Sequence, residues 1–409
     1  MKAVASFKQG PQLAMVAMSQ VLSLAVWFSS TAVLPGLEVE WSIIASQGAW
    51  LSMATQLGFV AGALGMVVTG LLDRARAEWL LGVSAVLASL LTLGFAFVAT
   101  TLPVAIVLRF FTGFFLAGVY PTGLKLVSSW SLTYRARALS FLGGALTLGS
   151  ALPYLINGLG PWPWRTVMVC TALACFCGGV LSIRYIRLGP YVENDSFKLE
   201  VSYAWTMFRE SGPRAACLGY FGHMFELYAV WTWLPIFLMH SRGVGSIDPQ
   251  LYFTVFAYMG IGGFTGCALA ALLADRVGRQ SVAAIALSIS GLCCALSPLV
   301  FRASPKVQFL FVFIWGAAVI ADSGIFSALL SSTVKRNVVG TALTMQTAIG
   351  FLITLVTIQL TPVMADIVGW QNAFIYLALG PLVGITAMFK GNSCSRLKGS
   401  TLDADCRKS

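Results

Sequence analysis

Twelve apolar runs, each long enough to supply roughly 20 residues of helix, alternate with short polar segments along this 409-residue chain. In hydrocarbon every backbone N–H and C=O must find its partner inside the protein, which leaves only α-helices or a closed barrel. Continuous runs of this length dictate helices. Spans are expected near residues 12–35, 46–72, 79–99, 102–127, 137–159 and 165–187. After a polar stretch, six more are expected near 214–239, 250–274, 281–301, 307–333, 339–361 and 370–389. Composition agrees: 58% of residues are hydrophobic and 10% charged, against about 25% charged in soluble domains. The first run, from about Pro11 to Pro35, exceeds the roughly 7–15 residues of a signal-peptide core, so it is expected to stay as a span.

The charges orient these spans. The net charge of +11 could suggest a nucleic-acid partner, but Lys and Arg fall in small groups between apolar runs, never as a stripe on one helix, so none is expected. With both ends cytoplasmic, the outer segments hold only Arg165, Arg242, Arg302 and Lys306. Arg109 lies inside a span, and every other Lys and Arg is on the inner side. The positive-inside bias therefore predicts a multi-pass protein of the bacterial inner (plasma) membrane with both termini cytoplasmic. The expected organisation is an N-terminal six-helix bundle over 1–187, a charged cytoplasmic linker over 188–213, a C-terminal bundle over 214–390 and a cytoplasmic tail over 391–409. Within the linker, Val201–Phe208 reads equally as an interfacial helix or plain connector. Nine cysteines, most inside apolar runs and none in a CxxC pair, read as small buried hydrophobes. No metal or cofactor is expected, and the chain is expected to be a monomer.

The two halves repeat each other. Leu71-Leu72-Asp73-Arg74 closes the second span, and Leu273-Ala274-Asp275-Arg276-Val277-Gly278-Arg279 closes the eighth. Ala25-Val26-Trp27 in the first span returns as Ala229-Val230-Trp231 in the seventh. Trp164-Arg165 precedes the sixth span, and Trp370-Gln371 opens the twelfth. At these residues, and at Arg109 to Gly113 with Gly118 and Pro121 in the fourth span, the chain resembles the major facilitator superfamily over nearly its whole length. The first loop copy is degraded: Thr69 and Arg76 stand where the motif carries glycines, and Ala271 replaces the leading glycine of the second. The resemblance implies an all-α membrane fold of twelve transmembrane helices in two pseudo-symmetric six-helix bundles. It also implies a cytoplasmic gate built on Asp73, Arg74, Asp275, Arg276 and Arg279. Asp73 would face the start of the eleventh span and Asp275 the start of the fifth, each carboxylate meeting the positive end of a helix dipole. Topology-setting charge is the alternative.

Only Glu226 and Asp322, of fifteen acids, fall deep inside spans. A charge at mid-bilayer costs at least about 2.5–3.5 kcal/mol on insertion scales, so each is a functional candidate. His223 precedes Glu226 by three residues, on one helical face, and the two can share a proton. By the resemblance, spans one, four, seven and ten line a central cavity, where Arg109, His223, Glu226 and Asp322 would converge for substrate clamping or proton coupling. The alternatives are that Asp322 caps local backbone at Ala321-Asp322-Ser323-Gly324, that Glu226 only bonds His223, and that Arg109 is structural. Gln20, Tyr120, Tyr228, Trp231 and Gln346, together with Ser23 and Thr122, are further cavity candidates. The aromatics of the seventh span read either as a stacking surface for a planar solute or as lipid-facing filler.

No G-x-x-x-x-G-K-[ST] loop is present, so a gradient, expected to be of protons, supplies the energy. No nucleophile–base motif supports an enzyme. The resembling drug exporters carry a Gly-Pro motif in the fifth span. Here Pro153 is displaced from Gly149, which favours uptake of a small organic solute. Export of drugs or metabolites is the alternative, and a transporter-like sensor a third.

Overall fold

The computed structural model describes the backbone of residues 2–130, 135–191, 207–244, 248–335 and 338–389, with side chains for all of these except 2–8, 73 and 135–137. Among the described residues, twelve helical spans run in chain order. The first half holds α1 (Lys2–Ser23), α2 (Ala45–Thr69), α3 (Ala77–Val98), α4 (Leu102–Trp130), α5 (Arg135–Gly158) and α6 (Trp164–Tyr185). The second holds α7 (Ser211–Arg242), α8 (Pro249–Val277), α9 (Arg279–Val300), α10 (Pro305–Thr333), α11 (Val339–Val368) and α12 (Trp370–Phe389). The positions match the sequence expectation. Most of the linker and the whole tail lie outside the described residues.

Ten of these helices are long and apolar enough to cross a membrane by length and composition; α1 and α7 fall short. The shortfall in α7 has a physical reason. Between Ala216 and Leu238 only Leu218, Phe221 and Phe225 are even partly exposed. A helix surrounded by protein can carry His223, Glu226 and polar aromatics that a lipid-facing helix cannot. These aromatics are therefore core, not lipid-facing filler.

Three spans are broken. After Ser23, α1 tightens into a 3₁₀ turn at Leu24–Val26, then continues as short helices Ser29–Ala32 and Leu34–Trp41. The last is held at the far end, where Glu40 accepts Trp164 Nε1 at 2.6 Å and both terminal nitrogens of Arg165 at 2.7 and 3.0 Å. α4 breaks between Leu116 and Tyr120, and α10 at Asp322. Gly118 and Asp322 are pseudo-equivalent, 204 residues apart.

The repeat is written into the packing. In the first half a methyl group at Gly58 would overlap the Phe110 carbonyl, and one at Gly113 the Thr55 carbonyl, so α2 and α4 cross in backbone contact. In the second half Gly262 meets the Phe313 carbonyl and Gly316 the Tyr258 carbonyl, which brings α8 onto α10 in the same way. Each pair is displaced by 203 or 204 positions. Without a hydrophobic drive between helices in lipid, such close approach is what holds them together. The halves meet where α5 lies along α8 and α2 along α11. At the first seam α8 widens into a π turn over Ala257–Gly262, and Thr147 Oγ1 of α5, which donates to the Gly144 carbonyl of its own helix at 2.7 Å, also reaches the Gly260 carbonyl at 3.3 Å. At the second, Thr354 Oγ1 bonds Gln56 Oε1.

Candidate functional site

The break in α10 sets the site. Asp322 has φ −93° and ψ −13°, and its carbonyl starts the next helix by accepting Ile325 N at 3.0 Å and Phe326 N at 3.1 Å. Its side chain caps nothing, which removes the local-capping alternative. The carboxylate instead reaches α7, with Oδ1 2.8 Å from His223 Nδ1, and both side chains are 1% exposed. The contact is an ion-pair approach without hydrogen-bond alignment, and His223 Nε2 has no partner among the described residues.

Glu226, one helical turn along α7, does not bond His223. Its Oε1 accepts Trp315 Nε1 from α10 at 2.8 Å and its Oε2 accepts Ser290 Oγ from α9 at 3.0 Å. His223 and Glu226 of α7 thus grip α10 at Asp322 and at Trp315, in the reversed order that antiparallel helices give. The expected His223–Glu226 pair is replaced by these two cross-helix contacts, because side chains three apart diverge when each has a better partner on a neighbour.

Arg109 does not join the acids. It is fully buried, and all its nitrogens are spent on α1 and α2. Nε donates to Thr55 Oγ1 at 3.0 Å and Nη1 to Ser29 Oγ at 3.3 Å. Nη2 donates to the carbonyls of Val26 at 3.0 Å and Trp27 at 2.6 Å. No carboxylate among the described residues is within ion-pair distance of it. The expected convergence of Arg109 with His223, Glu226 and Asp322 therefore does not occur in this structure.

The cavity candidates divide. Gln20 donates to the Val119 carbonyl in the α4 break at 2.9 Å, and Gln346 to Ala216 of α7 at 3.3 Å, so both amides tie helices of one half. Ser23 Oγ packs against Gly178 of α6. Thr122 is fully buried with no partner for its hydroxyl among the described residues. Tyr120 opens the second segment of α4, partly buried against the core. Tyr228 and Trp231 face the other half. The Phe28 ring stacks on Tyr228 at 5.9 Å and meets Trp231 edge-on at 5.5 Å, while Trp27 lies 6.4 Å from Tyr228 and 6.2 Å from Phe351. Phe59 completes the group, 4.9 Å from Trp27 and 5.0 Å from Phe351. Six rings, three from each half, pack against one another across the seam. Beyond them Tyr252 Oη of α8 donates to the Ala32 carbonyl at 3.3 Å, and Asn157 Nδ2 of α5 donates to the same oxygen at 3.0 Å. Sequence reasoning missed Trp27, Phe28, Phe59 and Phe351 here. The Ala-Val-Trp repeat was the signal for Trp27.

At the gate motif, Gly70 turns the chain with φ 62° into a single helical turn, Leu71–Arg74, whose Leu72 carbonyl accepts Lys125 Nζ at 2.6 Å. The Asp73 side chain, and those of residues 135–137 at the start of α5, lie outside the described residues, as do 336–337 before α11. Asp275 and Arg276 occupy the last turn of α8, and Gly278, φ 87°, leads to Arg279 at the head of α9.

A family model, the Major Facilitator Superfamily, matches residues 16–358. The chain belongs to this superfamily. Among curated proteins, it is 24% identical over 319 residues to the niacin transporter NiaP of Acinetobacter baylyi, covering 68% of each. Among solved structures, it resembles the Escherichia coli xylose transporter XylE in a partially occluded inward-open conformation. That match has a TM-score of 0.73 at 14% identity and covers 93% of this chain and 99% of that one. A bacterial homologue of the human lysosomal transporter Spinster, inward-facing and unoccupied, matches with a TM-score of 0.71 at 14% identity, covering 94% and 96%. These structural likenesses show the fold of twelve helices, and membership of the superfamily makes the chain a multi-pass membrane transporter.

Proposed function

We propose that this transporter takes up a small organic solute across the bacterial inner membrane by alternating access, driven by protons, as a monomer with both termini in the cytoplasm. One observation carries the reading: His223 and Asp322 form a buried pair, 2.8 Å apart, at the break in α10. A carboxylate and an imidazole this deep in a membrane protein can exchange a proton, and binding or losing it changes the charge that holds α7 to the hinge of α10. Glu226, one turn outward from His223 on α7, adds a second buried carboxyl and completes the coupling group. The six rings at the seam support a solute that carries an aromatic ring, and a curated relative is a niacin transporter. The loop motif around Asp73, Arg74, Asp275, Arg276 and Arg279 serves as the inner gate in this reading.

Purified protein in proteoliposomes tests it, with niacin as first probe and a ligand screen by thermal shift to widen the set. An inward proton gradient is expected to drive accumulation, with substrate-dependent acidification of the lumen. Uptake that ignores the gradient refutes proton coupling, and accumulation only under the reversed gradient refutes uptake.

A further inference from the structure

Arg109 is a cation buried with no carboxylate among the described residues in reach, an arrangement that is strongly unfavourable unless the site supplies compensation. The compensation here comes from a broken helix. When α1 stops at Ser23 and tightens, the carbonyls of Val26 and Trp27 lose the N–H groups that a continuous helix would bring. Both accept from Nη2 of Arg109, Val26 sharing its oxygen with Ser29 Oγ at 2.9 Å, and a positive charge at the negative end of a helix is further favoured by its dipole. The remaining donors go to Ser29, just past the break, and to Thr55 on α2.

The same broken stretch presents Trp27 and Phe28 to Tyr228, Trp231 and Phe351 of the other half. Arg109 itself rides on α4, which is locked to α2 through Gly58 and Gly113. The guanidinium is therefore fixed to a rigid helix pair, and it grips the segment that carries Trp27 and Phe28 to the seam.

We infer that Arg109 is the positioning residue of the outer gate: by holding the break of α1 through the Val26 and Trp27 carbonyls, it sets Trp27 and Phe28 against the aromatic face of α7 and α11 and weights the molecule toward its outward-closed state. Its charge is used to shape backbone, and substrate is recognised elsewhere.

Hydrogen–deuterium exchange of the full chain in lipid nanodiscs, without substrate, tests this independently of any transport assay. The variants are Arg109→Lys, which keeps the charge and loses the planar fork, and Thr55→Val, which removes one acceptor and leaves the arginine in place. Both are expected to speed exchange over residues 24–33 and, across the seam, over 227–232 and 350–354. The expected effect is roughly tenfold for the lysine variant, as for one lost charge-assisted hydrogen bond, and less for Thr55→Val. Exchange over 286–316, around Ser290 and Trp315, stays at the wild-type rate. Faster exchange confined to α1, or an equal rise everywhere, overturns the proposal. If the lysine variant does not fold, Thr55→Val alone decides: unchanged exchange over 227–232 overturns it.

Discussion

Asp322→Asn and His223→Leu remove the two partners of one contact, and the structure makes their consequences unequal. The pair is 2.8 Å apart with each side chain 1% exposed, so neither group can turn to water when the other is lost. His223→Leu leaves a carboxylate alone among apolar neighbours such as Phe326, a loss of about 3–5 kcal/mol. Asp322→Asn leaves an imidazole that can stay neutral and bond the new amide, so only about 1 kcal/mol is at stake. Melting of purified protein should therefore show a drop for His223→Leu about threefold or more that for Asp322→Asn. In proteoliposomes Asp322→Asn should abolish accumulation driven by a pH gradient while preserving solute counterflow, which needs no net proton movement. Equal melting losses would show that the pair carries no buried charge. Wild-type accumulation by Asp322→Asn would remove the proton from the mechanism.

Other expectations follow from single positions. Gly113→Ala should destabilise by about 1–3 kcal/mol or more, because the methyl meets the Thr55 carbonyl, and Gly266→Ala should do the same against Ala317. Gly65→Ala, with nothing within 4 Å, should melt like wild type. Glu226→Ala should strand the indole N–H of Trp315 and shift its near-ultraviolet signal, whereas Glu226→Gln keeps an acceptor and should not. Glu38, in the Leu34–Trp41 extension of α1, has its carboxyl pushed up to about 7 by burial. Protonated when folded, it stabilises below the ordinary carboxylate range, and that stability is lost as pH rises through about 7. Glu38→Gln should thus gain about 1 kcal/mol over wild type near pH 8, allowing for solvent screening, and nothing near pH 4.

The spans, their direction of repeat and the family were readable because hydrocarbon imposes one demand, satisfied backbone, on some 20 residues at a time. The site was readable in part. Depth alone singled out His223, Glu226 and Asp322, since few ionisable groups lie that far inside. Their partners were not: spacing along α7 places His223 beside Glu226, yet each is claimed by a neighbouring helix, and Asp322 lies 99 positions from His223. Arg109 misled for a related reason. A buried cation suggests an anion, but carbonyls freed by a helix break serve it as well, and nothing in Leu24-Ala25-Val26-Trp27 announces that break. Glycine spacing held more than was taken from it, since Gly58, Gly113, Gly262 and Gly316 mark the two matching crossings.

The near-complete enclosure of α7 bears on how the protein is made. A segment that is long enough but less apolar than its neighbours has little reason to leave the translocon alone. It must wait for α10 to bring Asp322 and Trp315, and for α11 to offer the groove at Gly350 that receives Tyr220. A chain halted after α7 should leave that helix at the membrane surface, and the second half should enter the bilayer only once four more spans have been synthesised.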